Sequence, residues 1–356
     1  MAKKRILFLG ETYRADAITW MNGLREFGDF EIVTWELQKS STGISRISRL
    51  TELLTLFFRI RKIAQSYNPD MVIAERTTSY GFLAALTGIK PIAIAQQGIT
   101  DLWPHNSPLF FFKKILQRYA FKKADLIHAW GNAMANHMEK NKVNMSKVLI
   151  MPKGINLEHF KFNNTANPET IEAIVTRSLE PEYKHDVIIK AFAILKRKNI
   201  PFRLRIIGDG SMKASLKKLT KELNMENEVI FEGRLPNTKV AELLQDSNFY
   251  ISMPTTEGVS ASLFEAMACG CFPIVTDLPG NRSWISHKTN GLLIPSENEV
   301  QLAQEMEWAF ENFGITQKAI VQNRNFVEEN ANYAKNMKAI AGKYHELISS
   351  KSTAAV

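Results

Sequence analysis

Short apolar runs alternate with longer amphipathic stretches along the whole chain. Arg5–Leu9, Phe30–Thr34, Met71–Glu75, Ile92–Gln96, Asp125–Ala129 and Lys147–Met151 predict strands. Between them, Asp16–Phe27, Ile44–Tyr67, Tyr80–Thr87, Leu109–Phe121 and Asn132–Asn141 read as helices. The stretch Pro152–Pro168 is rich in Asn, Pro and Gly and reads as a linker. The alternation then restarts. Glu172–Thr176, Phe202–Ile207, Glu228–Phe231, Asn248–Ser252, Cys271–Thr276 and Gly291–Pro295 are strand-like. His185–Lys198, Met212–Leu223 and Thr238–Gln245 are helix-like, and helices run from Val300 to the end. Apolar strands separated by amphipathic segments build βαβ units, with a parallel sheet covered on both faces. The expectation is an α/β chain of two Rossmann-like doubly wound domains facing across a cleft. A ligand would lie outside the carboxyl ends of the strands. The expected spans are 1–160 and 161–330, followed by a C-terminal helix at 331–356 packing back on the first domain.

One junction concentrates the chemistry. From Tyr250 to Asp277 a strand-like run meets Pro254, then Glu257-Gly258, then a small-residue run that opens a helix carrying Glu265. The helix start is predicted at Glu257–Leu263, with Glu265 about two turns in. Free N–H groups and the positive end of the dipole at such a start form an anion site. Two cations, Arg177 and Lys184, follow the first strand of the second domain and suit neutralising a diphosphate. Spacing alone favours two ordinary solvated cations. Gly208-Asp209-Gly210, between a strand and a helix, fits a tight turn as well as a phosphate loop. Glu265 sits among Leu263, Phe264, Ala266 and Met267, which argues for a buried carboxyl that needs partners.

Charge adds a second theme. The 356 residues carry a net charge of +9. Residues 1–160 hold 22 Lys and Arg against 13 Asp and Glu, and the remainder holds 23 of each, so the whole excess lies in the first part. Such asymmetry points to an anionic surface as partner. The helix at Ile44–Ile63 carries Arg46, Arg49, Arg59, Arg61 and Lys62 at its two ends around Ile47, Leu50, Leu54 and Phe57. Pro108–Lys123 sets three consecutive Phe beside Lys113 and Lys114. Both stretches fit a core-packed helix with a solvated face, and both fit a membrane-surface patch. Aromatic stacking platforms of the RNA-binding kind are not evident, so nucleic acid is not an expected partner.

Other chemistries find no support. There is no apolar run of 18 residues, and MAKKRILFLG reads as a first strand and not as a signal peptide. Cys269 and Cys271 read as buried small residues, in keeping with a reducing cytosol. The seven His are scattered without ligand spacing, no Asp-x-Asp ends a strand, and no G-x-S-x-G elbow or Walker loop occurs. No metal or cofactor is expected.

At these residues the chain resembles the family 4 retaining glycosyltransferases of the GT-B fold, over nearly its whole length and most strongly from about 150 to 295. The most specific part is Glu-x7-Glu, here Glu257 to Glu265, followed by Ala-Met-Ala-Cys-Gly. Around it stand Pro152 to Phe160, Arg177 with Lys184, Ile207 to Gly210, Val229 to Gly233 and Asn290 to Pro295. The resemblance implies that Arg177 and Lys184 clamp the donor diphosphate and that Glu257 bonds the donor sugar. It implies that Glu265 holds the ribose, that backbone at Gly258, Val259, Ser260 and Ser262 cradles phosphate or sugar, and that Gly233, Arg234 and Leu235 meet the base. On the acceptor side it points to Gly10, Gln97 and Asp101. This chain departs from the common pattern in three places. It has one Gly in Gly10-Glu11-Thr12-Tyr13, Gln97-Gly98 where His-Gly is usual, and Pro279-Gly280-Asn281-Arg282-Ser283 where many members carry a Glu.

The implied activity is retaining, metal-independent transfer of a hexose-type sugar from a UDP- or GDP-type nucleotide sugar to a glycan or lipid-linked hydroxyl, in cell-envelope synthesis. Its place would be the cytoplasm, peripheral at the inner face of the cell membrane. Two alternatives stand beside it: a sugar-nucleotide epimerase or hydrolase on the same fold, and a non-catalytic basic membrane-binding protein.

Overall fold

A computed structural model of the chain describes residues 3–37, 46–102, 106, 108–163 and 169–354; the side chains at 46–55, 57 and 352–354 fall outside that description. The chain forms two units, Met1–Lys153 with Tyr333–Val356, and Gly154–Asn332. The break comes earlier than position 160 because the segment after Lys153 already belongs to the second core. The Ile155 N–H donates to the Ala331 carbonyl (2.8 Å), and Ile155 and Phe160 are buried there.

The first unit runs β1 (Arg5–Leu9), α1 (Ala15–Gly28), β2 (Glu31–Trp35), α2 (Arg46–Tyr67), β3 (Met71–Glu75), α3 (Tyr80–Leu86), β4 (Ile92–Ala95), α4 (Phe110–Lys123), β5 (Leu126–Ala129), α5 (Asn132–Lys140) and β6 (Val148–Ile150). All six strands are parallel, in the order β2-β1-β3-β4-β5-β6. Strands β3, β4 and β5 are buried along their whole length, which is why they read as unbroken apolar runs. In the described half of α2, Leu56, Ile60 and Ala64 recur every fourth residue and are buried, while Arg59, Arg61 and Lys62 are exposed. That half is a core-packed helix with a basic outer face; the Arg46 and Arg49 side chains lie outside the described residues.

The second unit repeats the plan with β7 (Ile171–Thr176), α6 (His185–Arg197), β8 (Phe202–Ile207), α7 (Lys213–Glu222), β9 (Val229–Gly233), α8 (Asn237–Gln245), β10 (Phe249–Ser252), α9 (Ala261–Cys269), β11 (Phe272–Thr276), α10 (Pro279–Arg282), β12 (Leu292–Ile294), α11 (Glu299–Glu311) and α12 (Phe313–Asn330). Its parallel sheet has the order β12-β11-β10-β7-β8-β9. Both orders reverse direction once, between β1 and β3 and between β7 and β10. Strand ends diverge at such a point and leave a crevice.

The last helix, α13 (Tyr333–Ala354), belongs to the first unit. Tyr333 Oη donates to the Thr19 carbonyl of α1 (2.8 Å), and His345 stacks on Phe30 at 4.3 Å. Tyr344 is sealed against His128, with Oη and Nε2 2.6 Å apart. Burial among Trp20, Trp130 and Tyr344, with Lys153 adding repulsion, pushes the His128 imidazole down to about 3.

Candidate active site

The crevice between β7 and β10 holds an ion pair with little solvent exposure. Arg177 is the first residue beyond β7. Its Nε donates to Ser252 Oγ at the end of β10 (3.1 Å), and its Nη2 donates to Ser260 Oγ (2.5 Å) and pairs with Glu257 Oε2. The two side chains of this ion pair are only 15% and 12% exposed, so water screens it weakly. Burial works against the guanidinium charge, but Tyr250 and Glu257 more than offset it and hold Arg177 above its ordinary value. The guanidinium also lies over the Tyr183 ring, 5.4 Å from its centre.

Ser260 explains why the loop stops and a helix starts here. Its hydroxyl accepts from the Leu263 N–H (3.2 Å), making it the N-cap of α9. The helix therefore begins at Ala261, inside the predicted window Glu257–Leu263, and Glu257 and Gly258 stand on the loop before it. Glu265 is the fifth residue of α9, little more than one turn in. It is half-buried, not sealed, and has no hydrogen-bond partner among the described residues. Burial pushes its carboxyl up to about 7, with Arg177 pulling the other way. Ser262 Oγ reaches the Thr176 carbonyl at 3.5 Å, and Val259 packs against the buried core of this unit.

The neighbouring strand ends continue the row. Gly208 follows β8, and its N–H donates to the Gly233 carbonyl at the end of β9 (2.8 Å). Its φ is +146°, and a Cβ there would stand 2.2 Å from the Arg177 carbonyl oxygen. The Gly-Asp-Gly turn thus packs on the backbone that carries Arg177, which accounts for its first glycine without a phosphate. Arg234 and Leu235 continue from Gly233; Leu235 packs on the core beside α8 and α9.

The structure does not bring Lys184 into the contact between Arg177 and Glu257. Lys184 has left-handed backbone (φ 48°), and its Nζ pairs with Glu297 Oε1 at 2.5 Å near the surface. Sequence reasoning missed the contribution of Gly280. A Cβ on Gly280 would lie 2.3 Å from the Glu257 carbonyl oxygen, so α10 presses directly on the loop that presents Glu257. The signal was the departure at Pro279-Gly280-Asn281-Arg282-Ser283 itself.

In the first unit, Gln97 and Asp101 converge at the corresponding strand ends. The Gln97 N–H donates to Asp101 Oδ1 (3.2 Å), and Asp101 also accepts from the Thr77 N–H (2.7 Å) and hydroxyl (2.9 Å). Asp101 thus ties the loop after β3 to the loop after β4. Burial raises its carboxyl despite these donors. The hub is Glu75, which the sequence reading placed only as a strand end. Glu75 accepts from the Glu11 N–H (3.2 Å) and Gln97 Nε2 (3.3 Å), and Gly10, at the end of β1, lies against it. Burial, then Asp16, push it up to about 7. A carboxylate closing an otherwise apolar buried strand was the available signal. Among the described residues no cluster of three His, Cys, Asp or Glu is arranged to hold a metal ion.

Comparison with known proteins now bears on this geometry. The Anabaena protein HepE, solved in complex with UDP, superposes with a TM-score of 0.78 at 15% identity, covering 97% of this chain and 100% of its own. Two parallel doubly wound sheets and that likeness define the class as the two-Rossmann-domain GT-B fold. The model of the family described as glycosyl transferases group 1 matches residues 157–326, and that described as glycosyl transferase 4-like matches residues 6–130. The chain belongs to the group 1 glycosyltransferases. A putative colanic acid biosynthesis glycosyltransferase of Escherichia coli is 27% identical over 57% of this chain, which spans 52% of that protein's length. The N-acetylgalactosamine-N,N'-diacetylbacillosaminyl-diphospho-undecaprenol 4-alpha-N-acetylgalactosaminyltransferase of Campylobacter jejuni is 26% identical over 78% of this chain and 76% of its own.

Proposed function

We propose that this protein transfers a hexose-type sugar, with retention, from a UDP- or GDP-type nucleotide sugar to a hydroxyl of a glycan or lipid-linked acceptor in cell-envelope polysaccharide or glycolipid synthesis. The observation that carries the reading is the half-buried Arg177 at the β7/β10 crevice, flanked by Glu257 and by the half-buried Glu265, which has no hydrogen-bond partner among the described residues. Departure of a nucleoside diphosphate builds negative charge, and a preorganised guanidinium beside the start of α9 favours that step without a metal. Lys184 joins the clamp by leaving Glu297 when the diphosphate arrives. Glu257 bonds sugar hydroxyls, and Glu265 accepts from the two ribose hydroxyls, as a carboxylate can. Backbone from Gly258 to Ser262 lines the phosphates, and Gly233, Arg234 and Leu235 meet the base. Gly10, Gln97 and Asp101 serve the acceptor.

The UDP bound to the Anabaena neighbour supports the donor class. The diphospho-undecaprenol in the name of the Campylobacter relative supports a lipid-linked acceptor, which agrees with a basic first unit meeting the inner face of an anionic membrane. Thermal-shift screening against a panel of nucleotide sugars identifies the donor. Product formation by Arg177→Ala and Glu265→Ala then tests the site, and unchanged rates would remove the assignment.

A second reading, epimerase or hydrolase on the same fold, gains one observation. Glu75, near 7, supplies an acid/base group where Gln97 cannot move protons. Incubating the donor without acceptor and following it by NMR separates the two. Epimer or free sugar that depends on Glu75 favours the second.

A further inference from the structure

An open cavity of about 590 Å³ lies on the first unit, between α4 and the connection from α5 to β6. Lys114, Arg118 and Lys122 face it from α4, and Lys140, Lys142 and Lys147 from the other side; no carboxylate lines it. Lys147 donates to the Ala124 carbonyl (2.8 Å). The other five have no carboxylate partner among the described residues. Lys122 and Lys140 stand in the last turns of their helices, where a cation offsets the negative end of the dipole. That local reason does not extend to Lys114, Arg118 and Lys142. Converging unpaired cations repel one another, and an anion relieves the repulsion.

The same helix carries a second feature. Phe111, Ile115, Arg118 and Lys122 follow one another at spacings of four, three and four, so they form one ridge along α4. Phe111 is 73% and Ile115 49% exposed, with Leu109 and Phe112 exposed beside them. The ridge is apolar at its start and basic at its end. From Phe111 to Lys122 it runs roughly 16 Å. That length suits a helix whose first turns enter the acyl boundary while its last turns stay at the depth of the phosphates. Monomer surfaces seldom leave such an apolar cluster beside so much charge without a partner.

We infer that the first unit docks on an anionic lipid bilayer, seating a lipid headgroup phosphate in the cavity between α4 and the α5–β6 connection while Phe111, Phe112 and Ile115 enter the acyl boundary. The inference rests on the membrane contact proposed above and is independent of the transfer reaction. It adds which element touches the bilayer and which side chains hold the headgroup. Charge complementarity chooses the occupant: the cavity holds cations and no carboxylate, and the adjoining anchors are apolar.

The test is co-sedimentation of the full chain with vesicles of phosphatidylcholine alone and of phosphatidylcholine with phosphatidylglycerol. Binding is expected only to the second, weakening with salt. Replacing Lys114, Arg118 and Lys142 by Gln should lower it on the order of 100-fold, at about 5-fold per charge. Replacing Phe111, Phe112 and Ile115 by Ser should also abolish it. As an equal-charge control, replacing Lys217, Lys218 and Lys221 of α7 by Gln should change little. A retained nucleotide-sugar thermal shift shows each variant to be folded. Absence of vesicle binding by the native chain overturns both the membrane contact and the cavity, and leaves the transfer reading untouched. Native binding that survives the cavity variant, or that falls equally in the α7 control, overturns the cavity alone. Tight binding of single-stranded RNA without vesicle binding overturns the lipid in favour of a nucleic acid.

Discussion

Replacing Glu265 by Gln tests the donor site through stability and binding at once. The carboxyl is lifted from 4.5 to about 7, chiefly by burial, with Arg177 opposing and no hydrogen-bond donor among the described residues. At about 1.4 kcal/mol per pH unit, full desolvation would cost roughly 3 kcal/mol once the group is ionised. Glu265 is half-buried, so water screens part of this, and a cost of about 1.5 kcal/mol follows. The sign is definite. Below about pH 4.5 the carboxyl is protonated folded and unfolded, and costs nothing. As pH rises toward 7 the unfolded chain ionises first, so the stability that the protonated group allowed is lost, fully so above 7. Glu265→Gln removes the charge and keeps the shape. It should raise the melting temperature by about 3–6 °C at pH 8 and leave it nearly unchanged at pH 4.5. The same variant should weaken UDP binding by about tenfold or more, because an amide oxygen replaces a charged acceptor for the ribose hydroxyls. Differential scanning fluorimetry across pH, with and without UDP, reads both effects. Equal gains at both pH values would refute the burial argument, and unchanged UDP affinity would refute the ribose assignment.

Lys184→Ala should leave the melting temperature unmoved, since its pair with Glu297 is near the surface, while transfer falls on the order of 100-fold. Full activity in that variant removes Lys184 from the clamp. Gly208→Ala puts a Cβ within 2.2 Å of the Arg177 carbonyl oxygen at a φ of +146°. It should cost about 2 kcal/mol or more by urea unfolding and reduce transfer by displacing Arg177. His128, held down to about 3, stays neutral when folded and must take up a proton on unfolding below about 6.5. Its contribution is present above that value and is lost as pH falls toward 3. An NMR titration should show its ring unprotonated at pH 5, and a ring titrating near 6.5 would refute the buried packing against Tyr344.

Periodicity made the fold legible because buried parallel strands leave unbroken apolar runs, and every predicted strand from Arg5–Leu9 to Gly291–Pro295 has a counterpart. Helix starts such as Tyr80, Asn132 and His185 were legible too, but the start of α9 only as the window Glu257–Leu263, because it depends on which residue caps it and Ser260 lies among several small residues that could do so. Arg177 and Glu257 were visible as motif residues, but their mutual contact was not, because it joins the ends of two strands brought together by topology. Lys184 shows the limit of spacing. Seven residues after Arg177, it lies where a turn of left-handed backbone carries its amine to Glu297. Glu75 escaped because a polar residue at a strand end is common, and only the loops after β1 and β4 give it neighbours.

The two sheets share one topological device and fill it with opposite charges. At the reversal between β1 and β3 the buried ionisable group is a carboxyl, Glu75, lifted to about 7 by burial and Asp16. At the reversal between β7 and β10 the half-buried group is a guanidinium, Arg177, whose charge Glu257 and Tyr250 favour. A carboxyl near neutrality binds a neutral hydroxyl at little electrostatic cost, whereas a fixed guanidinium needs an anion to justify its burial. Glu257 meets that need in the resting protein. A diphosphate entering the crevice would share Arg177 and free Glu257 to turn to the sugar. On the proposed reading, the pair between Arg177 and Glu257 therefore also keeps the empty site intact. Glu257→Ala should accordingly destabilise the free protein by about 3 kcal/mol, and UDP should restore more stability to the variant than it adds to the native chain. Equal stabilisation of both by UDP would show that the diphosphate does not engage Arg177.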